Sequence, residues 1–204
     1  MPIAIVGGCY YFSSEEKADS MSDPRVAPLT APYEPSLKAT FDRIMPAGVP
    51  PLALFRTLAR VPRVWEKFRA GSLLDKGPLS LRRREIVIDR ICARTGNDYE
   101  WGVHVAFFAE RASLDLAQVA ALATGGFDAT VWTDDERALI AAVDQLLETT
   151  RLDDATWAEL VAAFDVDQIM EVMALVGFYR TVALFCNALR LKPEPYGAPL
   201  PARP

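Results

Sequence analysis

Apolar and polar residues from 34 to 190 read as a succession of helices, and proline, capping residues and glycine set their limits. Pro35 suits the first turn of a helix running to about Met45. Pro51 and Pro62 suit the same role for helices over about Leu52–Arg60 and Arg63–Ala70. Ser80 can cap Leu81–Arg94, which Gly96 ends. Asn97 or Asp98 can cap Tyr99–Ala112, and Ser113 or Asp115 opens a short helix that stops at Gly125–Gly126. Thr133 and Glu136 form a capping box before a periodic run to Thr149. Asp153 or Asp154 opens Thr156–Phe164, and Asp165 or Asp167 opens a long helix up to Leu191. Ile86–Ile88 is β-branched, but its surroundings do not alternate and its flanks are helix formers. Ile3–Val6 is the other short strand candidate. The expectation is an all-α fold of about eight or nine helices.

The ends read differently. Residues 1–33 carry Pro2, Pro24, Pro28 and Pro32 and no long period, so they read as an extended arm. Residues 1–20 fit a loose extension that begins at an upstream start codon. Residues 191–204 hold five prolines, which cannot continue a helix, and read as an extended tail. A single helical domain over 34–190 lies between. The apolar stretch Val172–Leu189 has Arg180 in its middle and Asn187 near its end, so it reads as a buried core helix. Met1–Phe12 has no basic residue before it and no small-residue cleavage site, which argues against a signal peptide. The expected location is the cytoplasm, with no membrane partner.

Composition narrows the function. The 204 residues are 51% hydrophobic and 24% charged, which fits a globular chain. A net charge of −5 disfavours nucleic acid as a partner. Cys9, Cys92 and Cys186 make no C-x-x-C, and the latter two read as small core residues. With His104 the single histidine, no multi-histidine metal site forms within one subunit.

Candidate chemistry lies in Leu81–Leu114. Glu100 and His104 are four apart, which on a helix places their Cβ atoms about 6 Å apart on one face. A carboxylate beside an imidazole is a natural acid/base pair. Glu85 lies one helix earlier, roughly 15 Å from the connecting turn, against roughly 9 Å for His104. The two meet only if the helices are staggered or crossed. Tyr99 and Trp101 can wall a pocket and offer donors, and one of Arg82–Arg84, with Arg84 the first choice, can hold a substrate carboxylate. Each feature has a plainer alternative: a packed histidine, a helix-stabilising pair, a solvated arginine face, aromatic core.

At Arg84-Glu85, Tyr99-Glu-Trp-x-x-His104 and Ala109, the sequence resembles the carboxymuconolactone decarboxylase family, whose superfamily includes the alkylhydroperoxidase D proteins. The resemblance covers roughly Leu73–Leu191. It implies an alkylhydroperoxidase D-like helical bundle that associates as a trimer or hexamer, with a dimer as a further alternative. The peroxidase branch carries thiols seven and four residues before its histidine. Here Asn97 and Glu100 stand there, while the relay glutamate matches Glu85. The resemblance therefore points to the decarboxylase-like branch.

In γ-carboxymuconolactone, CO₂ loss sends electrons into the lactone carbonyl, so no cofactor is expected. The expected partner is a small carboxylate substrate. His104 would contact the oxyanion or donate the proton, Glu100 would set its tautomer or be the donor, and Glu85 would orient the pair. Arg84, Tyr99 and Trp101 would bind substrate. The alternatives are a peroxiredoxin-type antioxidant, which needs a thiol such as Cys92 near His104, and a non-catalytic helical oligomer.

Overall fold

A computed structural model describes residues 23–202. Ile3–Val6, Cys9 and the expected extension over 1–20 lie outside them. Among the described residues there are nine α-helices and no strand. They are α1 (Pro35–Ile44), α2 (Ala53–Leu58), α3 (Pro62–Ala70), α4 (Leu81–Thr95) and α5 (Asp98–Phe108). α6 (Leu116–Ala120) runs into a π-helical turn over Ala121–Gly125. α7 (Asp134–Thr149), α8 (Asp154–Ala163) and α9 (Val166–Leu189) complete the chain.

The caps follow the local chemistry. Ser80, Asn97, Asp115, Asp153 and Asp165 each accept a backbone N–H in the first turn of their helices. Thr133 and Glu136 close a reciprocal box on α7. Gly96 ends α4 at φ 61°, a left-handed conformation that costs glycine no Cβ clash.

α4 is the centre of the domain and packs against α5, α7, α9 and the π turn. Every residue from Glu85 to Ala93 is buried. A helix surrounded on all sides has no solvent face, which explains why its apolar pattern did not alternate. Its arginines are staples to neighbouring helices. Arg82 Nε lies 2.6 Å from Glu136 Oε1, and Arg83 donates to Asp135 Oδ2 at 2.7 Å, both on α7. Arg90 makes a bidentate pair with Asp144, at 2.8 and 2.6 Å, and donates to the Leu122 carbonyl of the π turn at 2.7 Å. The reading of Arg82–Arg84 as a patch free to hold substrate is thus corrected for Arg82 and Arg83.

α9 also departs from expectation. It is long and apolar enough to cross a bilayer, and 44% of its most apolar stretch is buried within the domain. One face packs through Val172, Leu175, Tyr179, Val182 and Cys186. The other leaves Met170 60% and Leu184 65% exposed. α9 is therefore half core helix and half surface.

The tail beyond α9 is extended and docked. Trp101 Nε1 donates to the Pro199 carbonyl at 3.1 Å, and Ala198 N donates to the Gly102 carbonyl at 3.1 Å. Gly102 permits this approach, since a Cβ there would lie 3.1 Å from the Ala198 carbonyl oxygen. Glu194 accepts the Tyr99 hydroxyl and, at 2.6 Å, the backbone N–H of Ala53. Tyr99 Oη in turn accepts Leu54 N–H at 3.1 Å. The tail thereby ties α2 to α5. Glu194→Ala leaves these donors short of a partner, and we expect a loss of about 1–3 kcal/mol, read from urea unfolding midpoints. Wild-type stability in the variant would show that the clasp contributes nothing.

Candidate active site

The site forms where α4, α5 and α9 meet. The cap of α4 at Gly96 and the cap of α5 at Asn97 turn the chain sharply. The helices are disposed so that Glu85 and His104 meet despite their unequal distances from the turn. Glu85 Oε2 lies 2.7 Å from His104 Nδ1. On the far side of the ring, Nε2 lies 3.0 Å from Tyr179 Oη and 3.5 Å from Glu100 Oε2. The ring stands edge-on to Tyr179 and also packs against Phe108. Glu85 and His104 are 0% and 2% exposed.

Burial pulls the imidazole pKa down, because a charged ring is poorly solvated there. The charge of Glu85, hydrogen bonds to Glu100 and Glu85, and the charge of Glu100 outweigh that penalty and push it up to about 10. The carboxylates thus favour the charged ring at neutral pH, the form that carries a proton on each nitrogen. Burial, with the charges of Glu100 and Glu85, raises the Tyr179 phenol well above its ordinary value, so it keeps its proton.

His104 and Glu100 lie on the wall of a cavity of about 650 Å³. Met45 at the end of α1, with Leu54 and Phe55 of α2 and Trp65 and Phe68 of α3, forms one side, and α5 and α9 supply Phe107, Phe108, Phe178 and Val182. Phe55 meets Trp65 at 5.4 Å between centroids within the first side, and Phe68 meets Phe178 at 5.1 Å across the two. Arg43 and Arg69 also line it. Glu85 is absent from the wall and sits behind the histidine.

The remaining candidates lie elsewhere. Tyr99 and Trp101 do not line the cavity, because their polar atoms hold the C-terminal tail. The expectation that they wall a substrate pocket is corrected. Arg84 also stays off the wall: its Nε is 3.3 Å from Glu85 Oε1, and its NH1 donates to the carbonyls of Leu74 and Asp75. Its geometry supports Glu85 rather than a ligand. Cys92 and Cys186 are buried, burial pushes both thiols above their ordinary values, and neither lines the cavity.

Two residues escaped the sequence reading. Tyr179 was hidden in an apolar helix, where its hydroxyl beside Phe178 was the available signal. Asp89 lies one helical turn after Glu85 and is 1% exposed, and neither of its oxygens has a hydrogen-bond partner. Burial raises its pKa well above the ordinary value, with His104's charge opposing and Glu85's adding to the rise. An acid between the run Ile86-Val87-Ile88 and Ile91, set off from the latter by Arg90 alone, was a signal in plain view.

The histidine pKa carries a stability consequence. A raised folded-state pKa stabilises the fold in full below about 6.5, and that stabilisation is lost as pH rises through about 10. We expect the urea midpoint of the wild type to fall relative to His104→Gln between pH 7 and 10. Parallel curves for the two proteins would show that the ring is neutral in the fold.

Residues 59–145 match the model of the carboxymuconolactone decarboxylase family. No curated protein sequence matches the chain. Among solved structures, a peroxidase-related protein from Silicibacter sp. TM1040 superposes with a TM-score of 0.72 at 16% identity, over 83% of this chain and 90% of that one. A debrominase bound to 2,3,4-tribromopyrrole gives 0.66 at 18%, over 84% and 92%. A protein described as a putative antioxidant defence protein, from Agrobacterium tumefaciens, gives 0.56 at 19%, over 67% and 94%. At such identities the likeness is one of fold, and it bears out the all-α, alkylhydroperoxidase D-like architecture. The segment that carries Glu85, Glu100 and His104 is thus the one that matches the carboxymuconolactone decarboxylase family model.

Proposed function

We propose that the protein is an acid/base enzyme that decarboxylates a small conjugated acid, a carboxylated lactone or a similar molecule, without a cofactor. The observation that carries this reading is the His104 ring on the wall of a largely apolar cavity, held from behind by Glu85 at 2.7 Å. A substrate carboxylate among these walls loses its hydration, and the charge of Glu100 opposes it further. Departure of CO₂ disperses that charge into the substrate's conjugated carbonyl, so the environment favours the transition state over the bound acid. The bond to the carboxyl carbon breaks, its electron pair enters the conjugated system, and the His104 Nε2 proton goes to carbon. The imidazole then regains a proton from solvent. Glu85 stabilises the charged ring and Tyr179 orients its far edge. Arg84 acts through Glu85 as a positioning residue.

A thiol peroxidase reading has less support, because no cysteine among the described residues lines the cavity. The test is CO₂ release from γ-carboxymuconolactone. General acid catalysis contributes about 10²–10⁴-fold, and His104→Gln is expected to lose activity in that range. Glu85→Gln should shift the alkaline limb of the pH–rate profile downward, because it removes the charge that holds up the ring's pKa. Full turnover in His104→Gln would overturn the assignment.

Self-association is proposed through the outer face of α9. Met170, Ala174, Gly177, Thr181 and Leu184 are exposed at spacings of four, three, four and three, the seam of a helix packed against another helix. A Cβ on Gly177 would meet nothing within 4 Å, so a partner helix has room to approach. Light scattering with size-exclusion chromatography is expected to show an oligomer for the wild type and a smaller species for Leu184→Glu. An unchanged mass in the variant would exclude this seam.

A further inference from the structure

The acid on the cavity wall has an unmatched oxygen. Glu100 is 5% exposed and lines the cavity. Its Oε2 faces His104 Nε2 at 3.5 Å, while Oε1 is buried with no hydrogen-bond partner. A buried acceptor without a donor is costly, about 1–3 kcal/mol, and such groups are rare in folded proteins. Resting on the acid/base reading above, we propose that the substrate supplies the missing donor. It would be a mostly apolar ring of the phenol, cyclic enol or N–H heterocycle class, with its X–H on Glu100 Oε1 and the far carbon of its H–X–C=C unit at His104 Nε2.

The chemistry of the wall selects this class. A carboxylate placed against Glu100 meets repulsion, whereas a neutral O–H or N–H meets an acceptor that nothing else satisfies. Phe55, Trp65, Phe68, Phe107, Phe108 and Phe178 surround the cavity and favour a flat ring. Its volume of about 650 Å³ suits a ring-bearing molecule rather than a minimal acid. The acid and base are also close enough to act on one conjugated unit. In H–X–C=C the heteroatom and the far carbon are two bonds apart, about 2.4 Å, and the Glu100 carboxylate comes within 3.5 Å of Nε2 through its other oxygen, Oε2.

The resulting step balances. The proton leaves X for Glu100, the X–C bond becomes C=X, and the C=C electron pair takes the Nε2 proton of His104. The ligand is now its keto or imine tautomer, beside a protonated Glu100 and a neutral imidazole. Return of both protons reverses the step. Where the newly protonated carbon carries a carboxylate, the tautomer is a β-keto or β-imino acid. The bond to that carboxylate then breaks, CO₂ leaves, the electron pair passes into C=X, and X recovers its proton from Glu100. The net change is one carboxylate plus one solvent proton giving CO₂ and a C–H bond.

Two probes test the donor and one tests the transfer. Calorimetric titration of the full chain with β-naphthol and with its methyl ether is expected to show the naphthol binding about tenfold or more tightly, a difference of about 1.4 kcal/mol. In Glu100→Met the preference should vanish while the ether still binds. In deuterated water, NMR should show that the wild type accelerates deuterium entry at the carbon next to the hydroxyl-bearing carbon, and that Glu100→Met does not. Equal affinity for the two probes, binding of neither, a preference that survives in Glu100→Met, or absence of exchange would overturn the proposal. If Glu100→Met does not fold, the wild-type ratio and the exchange still decide. Donor preference and exchange without CO₂ release from any carboxylated substrate would remove the decarboxylase reading and leave this inference. CO₂ release without donor preference would do the reverse.

Discussion

The contact between Glu85 and His104 organises the site around it. Neither group has an appreciable exposed surface, so each depends on the other for what water would otherwise supply. Removing one partner of such a pair leaves an uncompensated buried charge, at a cost of about 3–5 kcal/mol. The pair survives because helix α4 is held from all sides. Arg82, Arg83 and Arg90 fasten it to α7, and Arg90 also fastens it to the π turn. Glu85 thus sits on a rigid support, and the imidazole inherits that rigidity.

The charge of the ring and the shape of the cavity come from different parts of the chain. Glu85, Glu100 and His104 lie on α4 and α5, within the segment that matches the family. Much of the wall comes from α1, α2 and α9, outside that segment, and from α3, inside it. Tyr179, which touches the ring, belongs to α9. The C-terminal tail joins the two parts, because Glu194 bonds at once to Tyr99 on α5 and to the start of α2.

Asp89 and Glu100 are buried acids, and each has an oxygen without a protein partner. Their situations differ. Glu100 borders the cavity, where a ligand can meet its need, whereas Asp89 does not and its burial favours the neutral acid. A low-dielectric interior so arranged makes proton position responsive to small changes in nearby charge.

The boundaries of the helices were legible in the chain because they rest on local chemistry. Ser80, Thr133, Asp153, Asp165 and Gly96 act within one turn of their own positions, so their roles need no distant partner. The pairing of Glu100 with His104 was legible for the same reason, being a matter of helical pitch. Glu85 was a candidate from its place one helix earlier, but spacing alone left its distance from His104 open, and its match to the relay glutamate came from the family resemblance. The partners of Arg82–Arg84, the engagement of Tyr99 and Trp101 by the tail, the arrival of Tyr179 at the ring and the cavity itself depended on packing between segments far apart in sequence. Sequence specifies which groups are present and which face of a helix they share. Tertiary structure alone determines which of them are buried together, and the carboxylates it brings to the ring outweigh the loss of water and decide the charge of His104.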